Sequence, residues 1–395
     1  MVEFLPFEGL RPNLKAGEHI ADRISPPYDV IGPEELKELQ SRPCNITRLT
    51  LSPDPDKRYH GSRKELDAWI ADGELKQDPA SFYIYEQTFD DHGTTKTRTG
   101  IVGILRTERY ENGHVIPHEE TFSKVKADRL NLLRDMEAHL ESIFGIFDGF
   151  TPELSKRIRD ESRLVYRHVD GDGVEHRYSR ISDPGITEAI TRELKDQRML
   201  IADGHHRYET ALNYALENPD DIGKQYVLAT LVPADDDGLV IWPTHRMIRS
   251  GNISEKNAVK GIEKALRTEE VSRETMIEKL PEHLMGVVFR SGKCLLADCD
   301  DVSNEMLKLD TYAAQQKILY GVYKSDEGKA EIAYDAELPD VLSRMDSGEF
   351  DAAIVLNPPS LQTIWGLSMK GKRMPKKTTF FFPKIWSGFV IYRMA

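Results

Sequence analysis

Hydrophobic and polar positions alternate along the chain in a pattern that predicts strands and helices around one short central run. Met199 to Ala202 is hydrophobic, and the run stops at Asp203-Gly204. Hydrophobic residues then recur at the helical spacing i, i+3, i+4 and i+7, at Tyr208, Ala211, Leu212 and Ala215. The pattern predicts a strand, a tight turn and a helix.

Other segments predict both kinds of element. Phe82 to Phe89 and Lys96 to Leu105, separated by turn residues 90–93, predict a hairpin. Tyr226 to Val232 is hydrophobic throughout, which is typical of a strand covered on both faces. Helix-like and strand-like pieces continue to alternate towards the C-terminus. The sequence therefore predicts a mixed α/β (α+β) protein.

A helical pattern extends from Asp128 through Phe144. It places Glu137 inside the apolar stripe of the predicted helix and Glu141 at its edge. A carboxylate in the stripe needs a partner, so we expect Glu137 to form a buried or rim salt bridge or to be a functional acid.

The length of the chain suits two or three domains or one elaborated domain. We predict three consecutive regions: an N-terminal α+β region at 1–112, a core with a phosphate site at 113–250, and a C-terminal α/β region at 251–395.

The composition of the chain limits the kinds of partner that we expect it to bind. The 53 basic and 66 acidic residues give a formal net charge of −13, which disfavours nucleic acid as a partner. The three cysteines have no paired metal spacing and suit a reducing cytoplasm. The first residues do not predict a secretion signal, and no hydrophobic run reaches membrane-spanning length. We expect a cytoplasmic protein with small-molecule ligands and no membrane partner, and a homodimer is compatible with the sequence.

The central motif has the chemistry of an anion site. Asp203 is a favourable N-cap residue, and Gly204 allows a sharp turn and a close approach to a ligand. Unpaired amides and the positive end of the helix dipole then favour an anion, beside His205, His206 and Arg207. Phosphate is the predicted ligand.

Two alternative interpretations of the motif remain open. Asp-Gly before a helix is also ordinary capping chemistry, and exposed His or Arg side chains need no function. A divalent metal bound by Asp203, His205, His206 and Glu209 is the third interpretation. Adjacent histidines on a helix diverge by about 100°, which disfavours zinc.

The motif Asp203-Gly204-His205-His206-Arg207 resembles the signature of free serine kinases of the SerK type, in the ParB/sulfiredoxin-like nucleotide-binding superfamily. The wider chain is similar to a SerK-like family of unknown function that is often encoded beside serine-biosynthesis enzymes. Further blocks carry this resemblance: Pro26-Pro27-Tyr28-Asp29-Val30-Ile31, His118-Glu119-Glu120-Thr121, Asp128-Arg129-Leu130, Pro243-Thr244-His245-Arg246, Met374-Pro375-Lys376-Lys377 and Phe382-Pro383-Lys384.

The resemblance implies a ParB/SerK-like nucleotide-binding core with N- and C-terminal elaborations, and it also implies a set of site residues. The implied catalytic residues are His118, Glu119, Asp128, Asp203 and His206. Phosphate or nucleotide would contact Gly204, His205, Arg207, Arg129, His245, Arg246 and Lys377. Substrate would contact Tyr28, Asp29 and Thr121, and Asp203 would be a ligand of Mg²⁺.

Within this set, Glu119 would accept the proton of an attacking hydroxyl. His118 would orient that hydroxyl or hold phosphate, and Arg129 would neutralise developing charge. The spacing of these residues matches no specific catalytic motif, and the identity of the general base stays open.

The sequence has no P-loop, no Gly-x-Ser-x-Gly elbow and no His-Glu-x-x-His pair. The leading hypothesis is phosphoryl transfer in serine metabolism, in which ATP or ADP with Mg²⁺ phosphorylates free serine. Two alternatives use the same site: hydrolysis of O-phosphoserine, and a non-catalytic nucleotide-binding switch.

Overall fold

The computed structural model describes residues 1–52, 58–120, 123–301 and 303–394. Its fold is mixed α/β, as predicted. Internal contacts divide the chain into two compact units. The first unit comprises Met1–Pro117, Thr121–Val240 and Pro383–Ala395, and the second comprises His118–Glu120 and Ile241–Phe382. The three regions expected from the sequence stay a prediction.

The strands follow in chain order. Within the described residues they are β1 (Phe4–Leu5), β2 (Leu10–Pro12), β3 (Leu75–Gln77), β4 (Phe82–Asp91), β5 (Thr94–Arg106), β6 (Val115–Pro117), β7 (Ala138–His139), β8 (Ile143–Phe147), β9 (Arg163–Val169), β10 (Glu175–Ile181), β11 (Met199–Asp203), β12 (Tyr226–Pro233), β13 (Val240–Trp242), β14 (His245–Arg249), β15 (Arg267–Val271), β16 (Met285–Phe289), β17 (Cys294–Asp298), β18 (Glu331–Asp335), β19 (Ala352–Leu356), β20 (Phe380–Phe382) and β21 (Tyr392–Arg393).

The α-helices of the same residues are α1 (Pro33–Ser41), α2 (Thr47–Thr50), α3 (Arg58–Ala71), α4 (Ser123–Met136), α5 (Pro152–Glu161), α6 (Pro184–Leu194), α7 (His205–Glu217), α8 (Glu255–Ala265), α9 (Arg273–Lys279), α10 (Asp310–Ala313), α11 (Leu338–Asp346) and α12 (Leu361–Met369). Helix α10 continues into π-helical turns over Ala314–Tyr320.

The first unit is built on a mixed sheet. Its strand order is β6-β11-β8-β12-β5-β4-β10-β9, with β1 paired to β5. Strand β11 is parallel to β6, and β12 is parallel to β8, whereas the other pairs are antiparallel. The central strands are buried, and α7 packs Tyr208 and Ala211 into the same core as Ile201 and Val227. This packing fixes the end of β11 and the start of α7.

The second unit has an antiparallel sheet of order β15-β17-β16-β19-β14-β18. Its core joins strands β16 and β19 to helix α8 and the π-helical segment, through side chains such as Val287, Ile354, Ile262 and Ile318. Hydrophobic strands covered by helices account for the short apolar runs of this part of the sequence.

Several predicted elements are confirmed. The hairpin is β4 and β5, the central strand and helix are β11 and α7, and the hydrophobic run after them is β12.

The helix predicted from Asp128 through Phe144 is wrong beyond Met136. Glu137 has a left-handed φ of 46°, which ends α4, and the chain then enters β7 and β8. Glu137 forms ion pairs with Lys224 at 2.8 Å and with Arg63 at 3.3 Å. These ion pairs agree with the salt-bridge interpretation of Glu137.

Among the described residues, no helix combines the length and the hydrophobicity needed to cross a bilayer.

Candidate anion-binding site

The centre of the candidate site is the turn between β11 and α7. Gly204 lies between them with φ 89°, and its N–H donates to Asp203 Oδ1 at 2.7 Å. A Cβ at this position would lie 3.1 Å from Ile143 Cγ2 and from Arg207 Nε. Glycine is required both for the left-handed φ and for this close approach. The N-cap is Gly204 rather than Asp203, which was expected to cap and is instead the last residue of the strand.

Helix α7 begins at His205, so the N–H groups of its first turn have no partner within the helix. These amides and the helix dipole attract negative charge at this end. His205 is buried and His206 is partly exposed, both within the first turn. The structure therefore has the predicted strand, glycine turn and helix start. This geometry favours the binding of an anion.

Asp203 faces two cations. Lys384 Nζ lies 3.2 Å from Asp203 Oδ2, and Arg207 lies close enough to act on the same carboxylate. Burial would raise the pKa of Asp203, but the charges of Lys384 and Arg207, with the hydrogen bonds from Lys384 and the Gly204 N–H, hold it well below the ordinary range. Asp203 is therefore a carboxylate anion at neutral pH.

Arg207 is held by its surroundings on α7. One guanidinium nitrogen donates to the carbonyl oxygen of Ser142. Burial would lower the pKa of Arg207, but the nearby acids, Glu141 first and then Asp203 and Asp29, raise it. Arg207 is thus a fixed positive charge in the first turn of the helix.

Glu141 and Tyr28 lie beside Arg207. The Tyr28 N–H donates to Glu141 Oε1 at 3.3 Å, and the Arg129 guanidinium carbon lies 4.5 Å from the centre of the Tyr28 ring. Burial raises the pKa of Glu141, an effect that the charges of Arg207 and Arg129 partly offset. Burial also raises the pKa of the Tyr28 phenol. Tyr28 and Asp29, predicted from their stiff Pro-Pro context, therefore do lie near the central motif.

Asp128 and Arg129 form a pair at the edge of this group. Asp128 Oδ2 accepts from Arg129 Nη2 at 2.8 Å, and Asp128 Oδ1 accepts from the Tyr59 hydroxyl at 2.7 Å. Arg129 Nη1 also donates to the Thr50 carbonyl oxygen at 3.3 Å. Asp128 therefore holds Arg129 and Tyr59 in place.

A small cavity of about 50 Å³ opens between these side chains. It is lined by Arg129, Glu141, Arg207 and Thr210 together with leucine side chains of α4 and the following segment. Thr210 is 3% exposed, and its hydroxyl has no hydrogen-bond partner among the described residues. An unpaired buried hydroxyl is unusual and marks a place where a small polar ligand or water would be satisfied.

Sequence reasoning missed two residues of this site, Glu141 and Lys384. Glu141 was expected at the edge of a helix that in fact ends before it. Lys384 belongs to the block Phe382-Pro383-Lys384, but nothing in that block indicates a partner 181 positions away.

Two of the predicted residues, His118 and Glu119, belong to the second unit. They lie in the short segment His118–Glu120, which we call the strap. Glu119 makes an isolated bridge with Met374, and its Oε1 accepts from the N–H groups of Thr378 at 3.1 Å and Thr379 at 3.2 Å. The Thr379 hydroxyl lies 2.9 Å from His118 Nε2 and 3.2 Å from Glu119 Oε1. In this arrangement the Glu119 carboxylate anchors residues 378–379.

His245, Arg246 and Lys377 also belong to the second unit. His245 Nδ1 accepts from the Leu356 N–H at 3.1 Å, and burial lowers the pKa of this histidine to about 4. Arg246 is buried and donates to the carbonyl oxygens of Thr244 and Lys377, the latter at 2.9 Å. The His245 and Arg246 side chains are buried in the unit, whereas Lys377 is exposed and contributes its backbone carbonyl oxygen to this contact. The phosphate-binding role of the three residues stays a prediction. Thr121, predicted to contact substrate, lies outside the described residues.

The residues at the turn do not form a protein-built metal site. Asp203 is paired with lysine rather than with a second metal-ligating side chain. Over the described ranges, no group of three or more His, Cys, Asp or Glu residues is arranged to hold an ion.

Comparison with known protein families identifies the family of this chain. The sequence model of a family described as protein of unknown function, DUF1015, matches residues 4–319. The chain belongs to this family. Within DUF1015 the matched range includes the whole β11–α7 turn, whereas Lys377 and Lys384 lie beyond it. The family description names no activity, and membership of the ParB/sulfiredoxin superfamily stays a prediction.

Three solved structures resemble the chain at low similarity. A free serine kinase in complex with AMP is 14% identical, with a TM-score of 0.40, over 68% of this chain and 83% of that chain. A conserved hypothetical protein from Pyrococcus furiosus is 14% identical, with a TM-score of 0.39, over 70% and 93%. SbnI from Staphylococcus aureus, with a C-terminal truncation, is 10% identical, with a TM-score of 0.39, over 72% and 85%. These scores carry no argument about function. No curated protein matches the chain.

Proposed function

We propose that the first unit binds a phosphate group at the start of α7, and that the chain is a nucleotide-dependent phosphotransferase acting on free serine. One observation carries this proposal: a glycine turn, the first turn of a long helix and the cations Arg207 and Lys384 meet around Asp203. Helix N-terminal amides with nearby cations favour phosphate oxygens. The resemblance of residues 203–207 to the free serine kinase signature supports serine as the acceptor.

In the proposed reaction the serine hydroxyl oxygen attacks the terminal phosphorus of ATP or ADP. The new O–P bond forms as the bond to the leaving phosphate oxygen breaks, which yields O-phosphoserine and ADP or AMP. Glu119 is the proposed acceptor of the hydroxyl proton, with His118 orienting the hydroxyl. Mg²⁺ belongs to the proposal only as the ion that accompanies the nucleotide phosphates.

Seven other predicted residues have proposed binding roles. Gly204 and His205 would contact phosphate through the turn, and His206, Arg207 and Arg129 would offset its charge. Tyr28 and Asp29 would contact the amino acid.

Phosphorus NMR of the purified protein with Mg²⁺ tests the proposal in three mixtures: serine with ATP, serine with ADP, and O-phosphoserine alone. We expect a phosphoserine signal that depends on nucleotide, and the mixture that produces it names the donor. Free phosphate from O-phosphoserine alone would make the protein a phosphatase. Silence in all three mixtures, with tight nucleotide binding by calorimetry, would make it a switch and would reject the kinase.

Variants localise the activity. Arg207→Met and Asp203→Asn are expected to lower kcat/KM by about 10²-fold or more, since each removes a fixed charge from the site. Asp183→Asn is a matched control, because Asp183 caps the start of α6 in the same unit by accepting from the Ile186 N–H at 2.9 Å. Asp183→Asn also removes a carboxylate charge beside a helix start, but not that of α7, so it should keep wild-type activity, and an equal loss in both variants would show that the effect is not specific to the phosphate site. Glu119→Gln tests the proposed base by its effect on kcat.

A further inference from the structure

The proposed function counts Lys384 only as a nearby cation and gives it no contact with a ligand. It lies in a segment that is fixed to the large sheet at successive backbone positions. The Lys384 carbonyl oxygen accepts from Gln87 Nε2 at 2.8 Å, and the Trp386 N–H donates to the Tyr85 hydroxyl at 3.3 Å. Ser387 then forms a two-way backbone bridge with Ser25, at 2.9 and 3.1 Å. The backbone that carries the lysine is therefore held rigidly.

A buried arginine reinforces this arrangement. Arg98 is 1% exposed, and its Nη2 donates both to Gln87 Oε1 and to the Pro383 carbonyl oxygen. Its guanidinium carbon lies 4.9 Å from the centre of the Phe144 ring. Burying a guanidinium is costly, so its two acceptors give a strong restraint on residues 383–384. Gln87 thus links the arginine to the lysine backbone.

The side chain of Lys384 reaches from this rigid segment to the start of α7. Its ammonium lies 3.2 Å from Asp203 Oδ2, and its side chain is 18% exposed. An ammonium carries three N–H donors, so one can stay on Asp203 while another contacts a phosphate oxygen. The ion pair with Asp203, the last residue of β11, holds the lysine ammonium one residue before the Gly204 N-cap of α7.

The cavity beside Arg207 is a neighbouring feature. The Thr210 hydroxyl is buried without a partner in the described structure and lines this cavity with Arg207 and Glu141, whereas Lys384 and Asp203 do not line it. Arg207 is the residue that the cavity shares with the Lys384–Asp203 pair.

We infer that Lys384 is a phosphate-binding residue of this site, positioned by Arg98, Gln87 and Asp203. The inference rests on the proposed function for the identity of the phosphate donor, but the binding itself needs only an anion. A phosphate oxygen on the Lys384 ammonium would lie beside the α7 amides and Arg207, which together offset its charge.

Calorimetric binding of ADP and of inorganic phosphate tests the inference on the full chain. Lys384→Met is expected to weaken both affinities by about tenfold or more and to reduce the salt dependence of ADP binding. Lys384→Arg should keep most of the affinity because it keeps the charge. Lys224→Met is the matched control, since Lys224 is a lysine of the same unit with 15% exposure and ion pairs to Glu137 and Asp221.

Lysine acetylation followed by mass spectrometry supplies a second readout that needs no variant. ADP should protect Lys384 of the wild-type protein from acetylation by severalfold and leave Lys224 unchanged. Wild-type phosphate and ADP affinity in Lys384→Met, or equal acetylation with and without ADP, would overturn the inference and leave Lys384 as a structural partner of Asp203.

The two proposals can fail separately. If no phosphoserine forms but ADP binding depends on Lys384, the kinase proposal fails and the lysine inference stands. If phosphoserine forms and Lys384→Met has wild-type kcat and wild-type KM for the nucleotide, only the lysine inference fails.

Discussion

Lys384 Nζ lies 3.2 Å from Asp203 Oδ2, although the two residues are 181 positions apart. The pair joins the last segment of the chain to the strand end that precedes α7, within one compact unit. It accounts for much of the electrostatic environment of the candidate site, because Asp203 is the acid on which Lys384 and Arg207 both act.

The first prediction concerns acid stability. The pKa of Asp203 is lowered in the folded state, so the carboxylate stabilises the protein fully above the unfolded pKa of about 4, and this contribution declines as the pH falls from there towards the lower folded pKa. Asp203→Asn should cost about 1–3 kcal/mol of unfolding free energy at pH 7. Urea unfolding between pH 3 and 7 should show the two proteins converging at low pH. A constant difference over that range would contradict the assigned charge.

The second prediction concerns the turn. Gly204→Ala places a Cβ 3.1 Å from Ile143 Cγ2 and from Arg207 Nε at a φ of 89°. We expect a loss of about 1–2 kcal/mol in unfolding free energy and a weaker affinity for phosphate, because Arg207 must shift. Gly366→Ala in α12 is the control, since nothing lies within 4 Å of its Cβ, and it should be neutral or stabilising. Wild-type phosphate affinity in Gly204→Ala would show that the close approach is unimportant.

The third prediction concerns the unpaired hydroxyl. Thr210→Val removes a buried donor that has no described partner and keeps the side-chain shape. The variant should be as stable as the wild type or up to about 1 kcal/mol more stable, measured by thermal and urea unfolding. Thr187→Val in α6 should be destabilising, because the Thr187 hydroxyl donates to the Pro184 carbonyl oxygen at 3.1 Å. Destabilisation by Thr210→Val would mean that the hydroxyl is satisfied in solution.

The fourth prediction concerns the strap of the second unit. Glu119→Ala removes the acceptor of the Thr378 and Thr379 N–H groups and of the Thr379 hydroxyl. Unfolding free energy should fall by about 2–3 kcal/mol. Glu120→Ala, at the exposed neighbouring position, should change it by less than about 0.5 kcal/mol. Equal effects would show that the Glu119 side chain does not anchor the strap.

The fifth prediction concerns the pH dependence of stability between about pH 4 and 6. Burial raises the pKa of Asp310 to about 6, although the Thr311 and Asn357 N–H groups donate to its carboxylate. The folded state then binds a proton more tightly than the unfolded chain, so this group makes stability fall as the pH rises from about 4 to 6. Asp310→Asn should remove a pH-dependent loss of about 2–3 kcal/mol. The measurement is the slope of unfolding free energy against pH, because the loss of the carboxylate acceptor lowers stability equally at every pH. An unchanged slope in Asp310→Asn would contradict the raised pKa.

Sequence reasoning reached the core of the site because its signals are local. A hydrophobic run, a glycine and a helical repeat within 17 residues determine β11, the Gly204 turn and α7. The hairpin of β4 and β5 is also predicted by a local signal, because its two strand-like runs are separated only by turn residues 90–93. The extension of α4 to Phe144 was wrong because hydrophobic spacing does not reveal that Glu137 adopts a left-handed φ.

The sequence by itself determined the mixed α/β class, the strand–turn–helix of the central motif and the acidic net charge, all of which depend on neighbouring residues or on composition. Only the tertiary structure decided that Lys384 faces Asp203, that Glu141 lies beside Arg207, and that Glu119 holds Thr378 and Thr379. These contacts join residues far apart in the chain, and their geometry follows from strand order and side-chain packing, for which a single sequence carries no periodic signal.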